Sequence, residues 1–141
     1  MIGQNNPLNI RTSSHYKWNG QTGETRGFCN FESEVMCRRA GAYLLMRSYR
    51  RAGIYKVADV IKRWAPAVEN NTNAYISFVC KRTGFEPTTS LVFDSDYAAV
   101  LAAMEIMEKG VCAAWRDTFY ANAKASYLYV INNFNIKKYE I

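Results

Sequence analysis

Asp94-Ser95-Asp96-Tyr97-Ala98-Ala99-Val100-Leu101-Ala102-Ala103-Met104-Glu105-Ile106-Met107-Glu108-Lys109-Gly110 decides the fold class. Asp94 or Ser95 can cap a helix, Tyr97, Val100, Leu101, Met104 and Met107 recur at helical spacing, and Gly110 suits the left-handed residue that closes it. At about 100° per residue, Glu108 falls inside the apolar stripe and Glu105 on its flank. Burial and the partial negative charge of a helix C-terminus both disfavour an ionised carboxylate there. Glu108 is therefore the candidate general acid, able to protonate a leaving-group oxygen as a glycosidase requires. The plainer reading of the same residue is a helix-end glutamate that reaches solvent or pairs with Lys109 or an arginine.

Working outward, Thr72 can cap a helix with Tyr75, Ile76, Val79 and Cys80 inward and Gly84 at its end. Before it, Val57, Val60, Ile61 and Trp64 share one face of a shorter helix from Val57 to Ala65, stopped by Pro66. These two are expected to form a hairpin. Ser33 can cap a first helix carrying Met36, Ala40, Tyr43 and Leu44, which runs to Gly53, with Arg38, Arg39, Arg47, Arg50 and Arg51 on its solvated side. Downstream, Ala114 to Asn133 reads as one bent helix or two, and the aromatic tail from Tyr127 to Tyr139 is expected to pack over the core. Residues 1–32 are rich in turn formers, so they read as loops with at most one short hairpin. The expectation is a mainly α fold in one domain over 1–141: a loop-rich lobe (1–32), a helical core (33–112) and a C-terminal helical tail (113–141).

The chain has 141 residues and is 49% hydrophobic, enough to bury a core without disulfides or metals. No apolar run reaches the roughly 18 residues of a membrane span, so no membrane insertion is expected. The start MIGQNNPLNIR does not read as a secretory leader. Synthesis in the bacterial cytoplasm is expected, with any envelope role reached by lysis, in a phage particle or through another delivery machine. Cys29, Cys37, Cys80 and Cys112 are scattered without a C-x-x-C pair, and His15 is the single histidine. Buried free thiols are expected, with no metal site and no cofactor. There is no Gly-x-Ser-x-Gly and no phosphate loop. A net charge of +6 favours polyanionic surroundings, either nucleic acid or a phosphate-bearing cell envelope.

Near the N-terminus, Asn5-Asn6-Pro7-Leu8-Asn9-Ile10-Arg11 packs amides, a proline and an arginine around two apolar residues. Asn side chains hold turn backbone in place and Pro7 drives Asn6 towards an extended conformation, so this stretch reads as a shaped polar shelf or an Asn-rich turn into a short strand. A second carboxylate is harder to choose, because Glu24, Glu32, Glu34, Glu69 and Asp94 all lie in or beside loops. Glu69 is the alternative candidate. It follows Trp64 and Pro66 and precedes Asn70, Asn71 and Tyr75, a mixture able to stack on sugar faces and bond sugar hydroxyls.

In order along the chain come the Asn5–Arg11 stretch, Trp18-Asn19-Gly20, Phe28 with Phe31-Glu32-Ser33, Arg39-Ala40, Arg63-Trp64-Ala65-Pro66, Glu69-Asn70-Asn71-Thr72, Tyr75-Ile76 and Glu108-Lys109-Gly110. Over roughly residues 3–112 this set resembles a family of small proteins of bacteriophages and integrated mobile elements, described as virion structural proteins with a lysozyme-like domain. More distantly it resembles the peptidoglycan β-N-acetylglucosaminidases of the lysozyme-like superfamily. There a helix ending in a catalytic glutamate precedes a double-Asn loop, a Trp-x-Gly segment and a Phe-rich segment. Here the double-Asn loop comes first. The analogy then requires Glu108 to reach Asn5, Asn6 and Asn9 from the other end of the chain, as in a circular permutation. Cys37 stands where that pattern has a glycine, and Lys109 where it has an asparagine.

The resemblance implies a lysozyme-like domain that binds peptidoglycan glycan strands and cleaves them as a glycoside hydrolase or lytic transglycosylase. Glu108 would be the acid, and Asn5, Asn6, Asn9, Trp18, Trp64, Asn70 and Tyr75 would form the groove. Two other classes stay open. One is a virion structural or cargo protein held to other virion proteins or to nucleic acid by its basic surface, and the other is an effector or inhibitor of a host protein.

Overall fold

A computed structural model describes residues 2–68 and 70–136. The fold is mainly α. A hairpin of β1 (Gln21–Thr25) and β2 (Phe28–Phe31) is followed by α1 (Glu34–Tyr43), α2 (Val57–Trp64), α3 (Thr72–Thr83), α4 (Asp94–Lys109) and α5 (Arg116–Asn133). The hairpin pairs Glu24 with Cys29 and Thr25 with Phe28. Its two-residue turn works because Arg26 and Gly27 both hold positive φ, 53° and 82°, matching the right-handed twist of the strands.

α4 is the axis of the molecule. It is buried continuously from Tyr97 to Ile106, with Ala98, Ala99, Ala102 and Ala103 letting its neighbours come close, and it packs against α1, α3 and α5. Its burial on every side corrects the stripe expected from periodicity, which assumes a helix with one wet face. The consequence falls on Glu105. Expected on a flank, it is fully buried. Arg38 answers it with two bonds, Nε to Oε1 at 3.0 Å and Nη2 to Oε2 at 2.9 Å, and Tyr127 donates its hydroxyl at 2.8 Å.

The arginines of α1 and of the helical turns that continue it are not one solvated row. Arg39 is buried and Arg38 is engaged with Glu105, whereas Arg50 and Arg51 are exposed. Past α1 the helix widens to π spacing over Leu44–Tyr49 and ends at Gly53, whose φ is 81°. Ser33 caps α1 through the Met36 amide. Two other caps differ from expectation. Asn71, not Thr72, caps α3 through the Ala74 amide, because the Thr72 hydroxyl donates to the Ala65 carbonyl at 2.6 Å. At α4 neither Asp94 nor Ser95 is the cap; the Asp96 carboxylate reaches back to the Val92 and Phe93 amides. α2 and α3 pack together as the expected hairpin. A 3₁₀ turn, Ala113–Trp115, leads into α5. Tyr127 is buried within α5, Tyr129 is exposed, and Tyr139 lies outside the described residues.

The N-terminal loop is stitched onto this frame by one side chain above all. Asn6 is fully buried. Its Nδ2 donates to the Ile10 and Cys29 carbonyls, both at 2.9 Å, and its Oδ1 accepts from the Ile10 amide and the Cys37 thiol. Asn5 and Asn9 adopt left-handed φ of 54° and 53°, a conformation Asn tolerates. Leu8 is thereby pressed onto α1 at Gly41, where a Cβ would collide with the Leu8 methyl. Burying a leucine this fully contributes about 1.5–3 kcal/mol. Cys29, Cys37, Cys80 and Cys112 are free thiols; Cys29 and Cys37 are buried as expected, whereas Cys80 is half-buried and Cys112 is exposed. No helix among the described residues is long and apolar enough to cross a membrane.

Candidate functional site

The last turn of α4 carries Glu108 to a cleft of about 340 Å³. Separate pieces of chain build its wall, among them Asn9 and Arg11 from the N-terminal loop, Tyr16 ahead of the hairpin, Phe28 from β2, Leu44 and Tyr49 from the π-spaced turn, Trp64 at the end of α2, and Asn70. Gly110, with φ of 69°, turns the chain away immediately afterwards, and the Gly110 and Val111 amides both close onto the Ile106 carbonyl.

Glu108 is half-buried and receives three donors. Asn9 Nδ2 donates to Oε1 at 3.1 Å and also to the Glu108 carbonyl at 3.2 Å. Trp64 Nε1 and the Tyr75 hydroxyl both donate to Oε2, at 3.3 and 2.8 Å. All three donors are neutral. No cation among the described residues pairs with Glu108; Lys109, its neighbour, binds Glu34 instead at 3.2 Å. Helix geometry explains the divergence, since adjacent residues point about 100° apart. Burial raises the Tyr75 hydroxyl well above its ordinary 10.0, and the adjacent Glu108 charge and hydrogen bond raise it further. Tyr75 therefore stays protonated and remains a donor. Burial likewise pushes Tyr49 up to about 12, against the opposing pull of Arg63.

The sequence candidates separate into three groups. Asn9, Trp64, Asn70 and Glu108 face the cleft together. Tyr75 and Asn6 are buried and act from behind, the first on Glu108 and the second on the loop that carries Asn9. Trp18 is a correction, since it is only 3% exposed and is packed edge-on between Tyr16 at 5.0 Å and Tyr43 at 5.7 Å. It supports Tyr16, which does line the cleft. Asn5 donates to the Phe31 carbonyl at 3.0 Å and so ties the loop to the hairpin. Glu69 lies outside the described residues. Sequence reasoning missed Tyr16, which stands in an irregular loop, and missed Tyr49 and Leu44 as cleft residues because the π spacing that turns them there has no simple periodic signature. Arg11, stacked on Phe28 at 4.7 Å, stood in the quoted N-terminal stretch without a role.

The wall thus sets rings, amides, aliphatic side chains and one arginine around a single carboxylate. No protein-family model matches the chain. Over 113 residues it is 38% identical to Protein P5 of Pseudoalteromonas phage PM2, covering 77% of this chain and 70% of that protein. The chain belongs to the family of this phage protein. Membership places it among phage proteins. The constellation around Glu108 draws on residues far apart in the chain, from Asn9 to Glu108, which only the folded chain brings into register.

Proposed function

We propose that the cleft binds a peptidoglycan glycan strand and that Glu108 is the general acid that cleaves it, in a lysozyme-like manner. One observation carries the reading: a half-buried carboxylate faces a cleft lined by rings, amides and Arg11, and no cation among the described residues forms an ion pair with it. Sugar faces stack on rings such as Tyr16 and Trp64, while hydroxyl and acetamido groups find Asn9 and Asn70. Three neutral donors orient the carboxyl group, and Oε1, with one side-chain donor, is the less engaged of its two oxygens. In the proposed reaction the Glu108 proton passes to the glycosidic oxygen as the C1–O bond breaks; C1 is taken by the substrate's own acetamido oxygen and the ring so formed is opened by water, or water takes C1 directly, and in either case the proton that water loses returns to the Glu108 carboxylate. Among the described residues lining the cleft Glu108 is the single carboxylate, so the acetamido route asks nothing more of them. Membership of a phage family supports the reading, because a phage must pass the wall of its host.

The test pairs clearing of purified cell wall in gels with sedimentation on intact sacculi, for the wild type and Glu108→Gln. Clearing by the wild type alone is expected. Equal clearing by both removes Glu108 from the mechanism, and sacculus binding without clearing by either leaves a binding protein of the virion.

A further inference from the structure

We propose that a second cleft, between the end of α3 and the start of α5, binds a phosphodiester strand through its backbone anions. This cleft holds about 290 Å³ and is lined by Phe78, Lys81, Arg82 and Arg116. None of these residues belongs to the Glu108 cleft. Three of the four lining residues are cations, and their charge is poorly compensated. Lys81 and Arg116 have no carboxylate partner among the described residues. Arg82 meets Asp117 at 2.6 Å, so that pair offsets one charge at the exposed rim, and two cations are left over.

Helix electrostatics accounts for part of the cluster and not for the rest. Lys81 and Arg82 sit in the last turn of α3, where the macrodipole favours cations. Arg116 is the first residue of α5, where the macrodipole opposes a cation. It is nevertheless held firmly: Nε donates to the Val111 carbonyl at 2.9 Å, and the guanidinium lies 5.4 Å from the centre of the Phe78 ring. Those contacts use Nε and one face of the group. The Nη1 and Nη2 donors have no acceptor among the described residues, which leaves a fork of the geometry that phosphate oxygens accept. Arg82 is steadied in the same way, 5.6 Å from the Tyr120 ring. The cleft offers preset positive charge. Phe78, the one ring in its lining, already carries a guanidinium, so recognition runs through anionic oxygens and not through stacked bases.

The test follows the arginine Nε–H signals by ¹⁵N NMR as inorganic phosphate and then a glycerol-phosphate oligomer are added at low salt. The Arg116 and Arg82 signals should move and saturate, and the oligomer should bind at least about tenfold tighter than phosphate through its repeated charges. Lys81→Gln and Arg116→Gln should each weaken oligomer binding at least about threefold, whereas the exposed Arg51→Gln should leave it unchanged. Lys81 is itself exposed, so its substitution reports binding without threatening the fold. Static signals, or equal binding by the Lys81→Gln/Arg116→Gln double variant, would overturn the site. A base-bearing oligonucleotide that binds more than about tenfold tighter than an abasic strand of equal charge would overturn backbone reading in favour of nucleic-acid recognition. Preference of the same size for phosphatidylglycerol vesicles over the soluble oligomer would overturn the strand in favour of a lipid surface.

Discussion

Glu105 and Glu108 stand one turn apart on α4 and have opposite surroundings. Glu105 is sealed from solvent and answered by a bidentate arginine and a tyrosine, with its charge compensated inside the core. Glu108 lies at the edge of a cleft, answered by an amide, an indole and a phenol that orient it but add no positive charge. The first is an arrangement for joining helices, since it links α1, α4 and α5. The second leaves a carboxylate without an ion-pair partner among the described residues. A carboxylate's role in this molecule is set by what closes over it more than by its place on a helical wheel.

The comparison breaks most visibly at the buried pair. Arg38→Met alone should lower the unfolding free energy by about 3–5 kcal/mol in urea titrations, because it strands the Glu105 charge in the core. Arg38→Met combined with Glu105→Met should cost clearly less than that single change. A single-variant loss under about 1 kcal/mol would mean that water reaches Glu105. At the cleft the effect should move from stability to rate. Glu108→Gln should lower wall clearing by about 10²–10⁴-fold while shifting stability by less than about 1 kcal/mol.

Asn9 sharpens the contrast further, because it carries two bonds to Glu108 and a φ of 53°. Asn9→Ala should destabilise by about 1–3 kcal/mol from backbone strain and lost bonds. Asn9→Gly should recover the backbone part in thermal melts and leave clearing impaired. A full recovery of clearing by Asn9→Gly would show that the amide does not hold the acid.

The smallest effect lies at alkaline pH, where the two carboxylates act alike on their tyrosines. Burial first, and then the nearby carboxylate, raise both Tyr75 and Tyr127 well above 10.0. The folded chain thus keeps protons that the unfolded chain releases above pH 10. Their contribution to stability is complete below that pH and is lost as pH rises beyond it. Tyr75→Phe and Tyr127→Phe should each flatten the fall of unfolding free energy above pH 10, and an unchanged slope in both would mean that these hydroxyls are solvated.

Local signals made much of the scaffold legible. Ser33, Pro66, Gly84 and Gly110 mark helix ends by chemistry that acts within a few residues. Asn5 to Arg11 read as a shaped loop because Asn binds nearby backbone, and Asn6 does so. Trp18 misled because an indole beside Asn-Gly looks the same whether it faces solvent or Tyr43. Thr72 misled because its hydroxyl found the Ala65 carbonyl across a loop.

From its residues alone this chain specified helices, their ends and a carboxylate worth watching, since propensity, capping and periodicity are short-range and survive without neighbours. Tertiary structure decided that α4 is enclosed on all sides, that Glu105 is the sealed acid, and that Asn9, Trp64 and Tyr75 converge on Glu108. Those outcomes depend on which distant segment covers each face. No local pattern encodes that choice, because it is made by packing the whole chain at once.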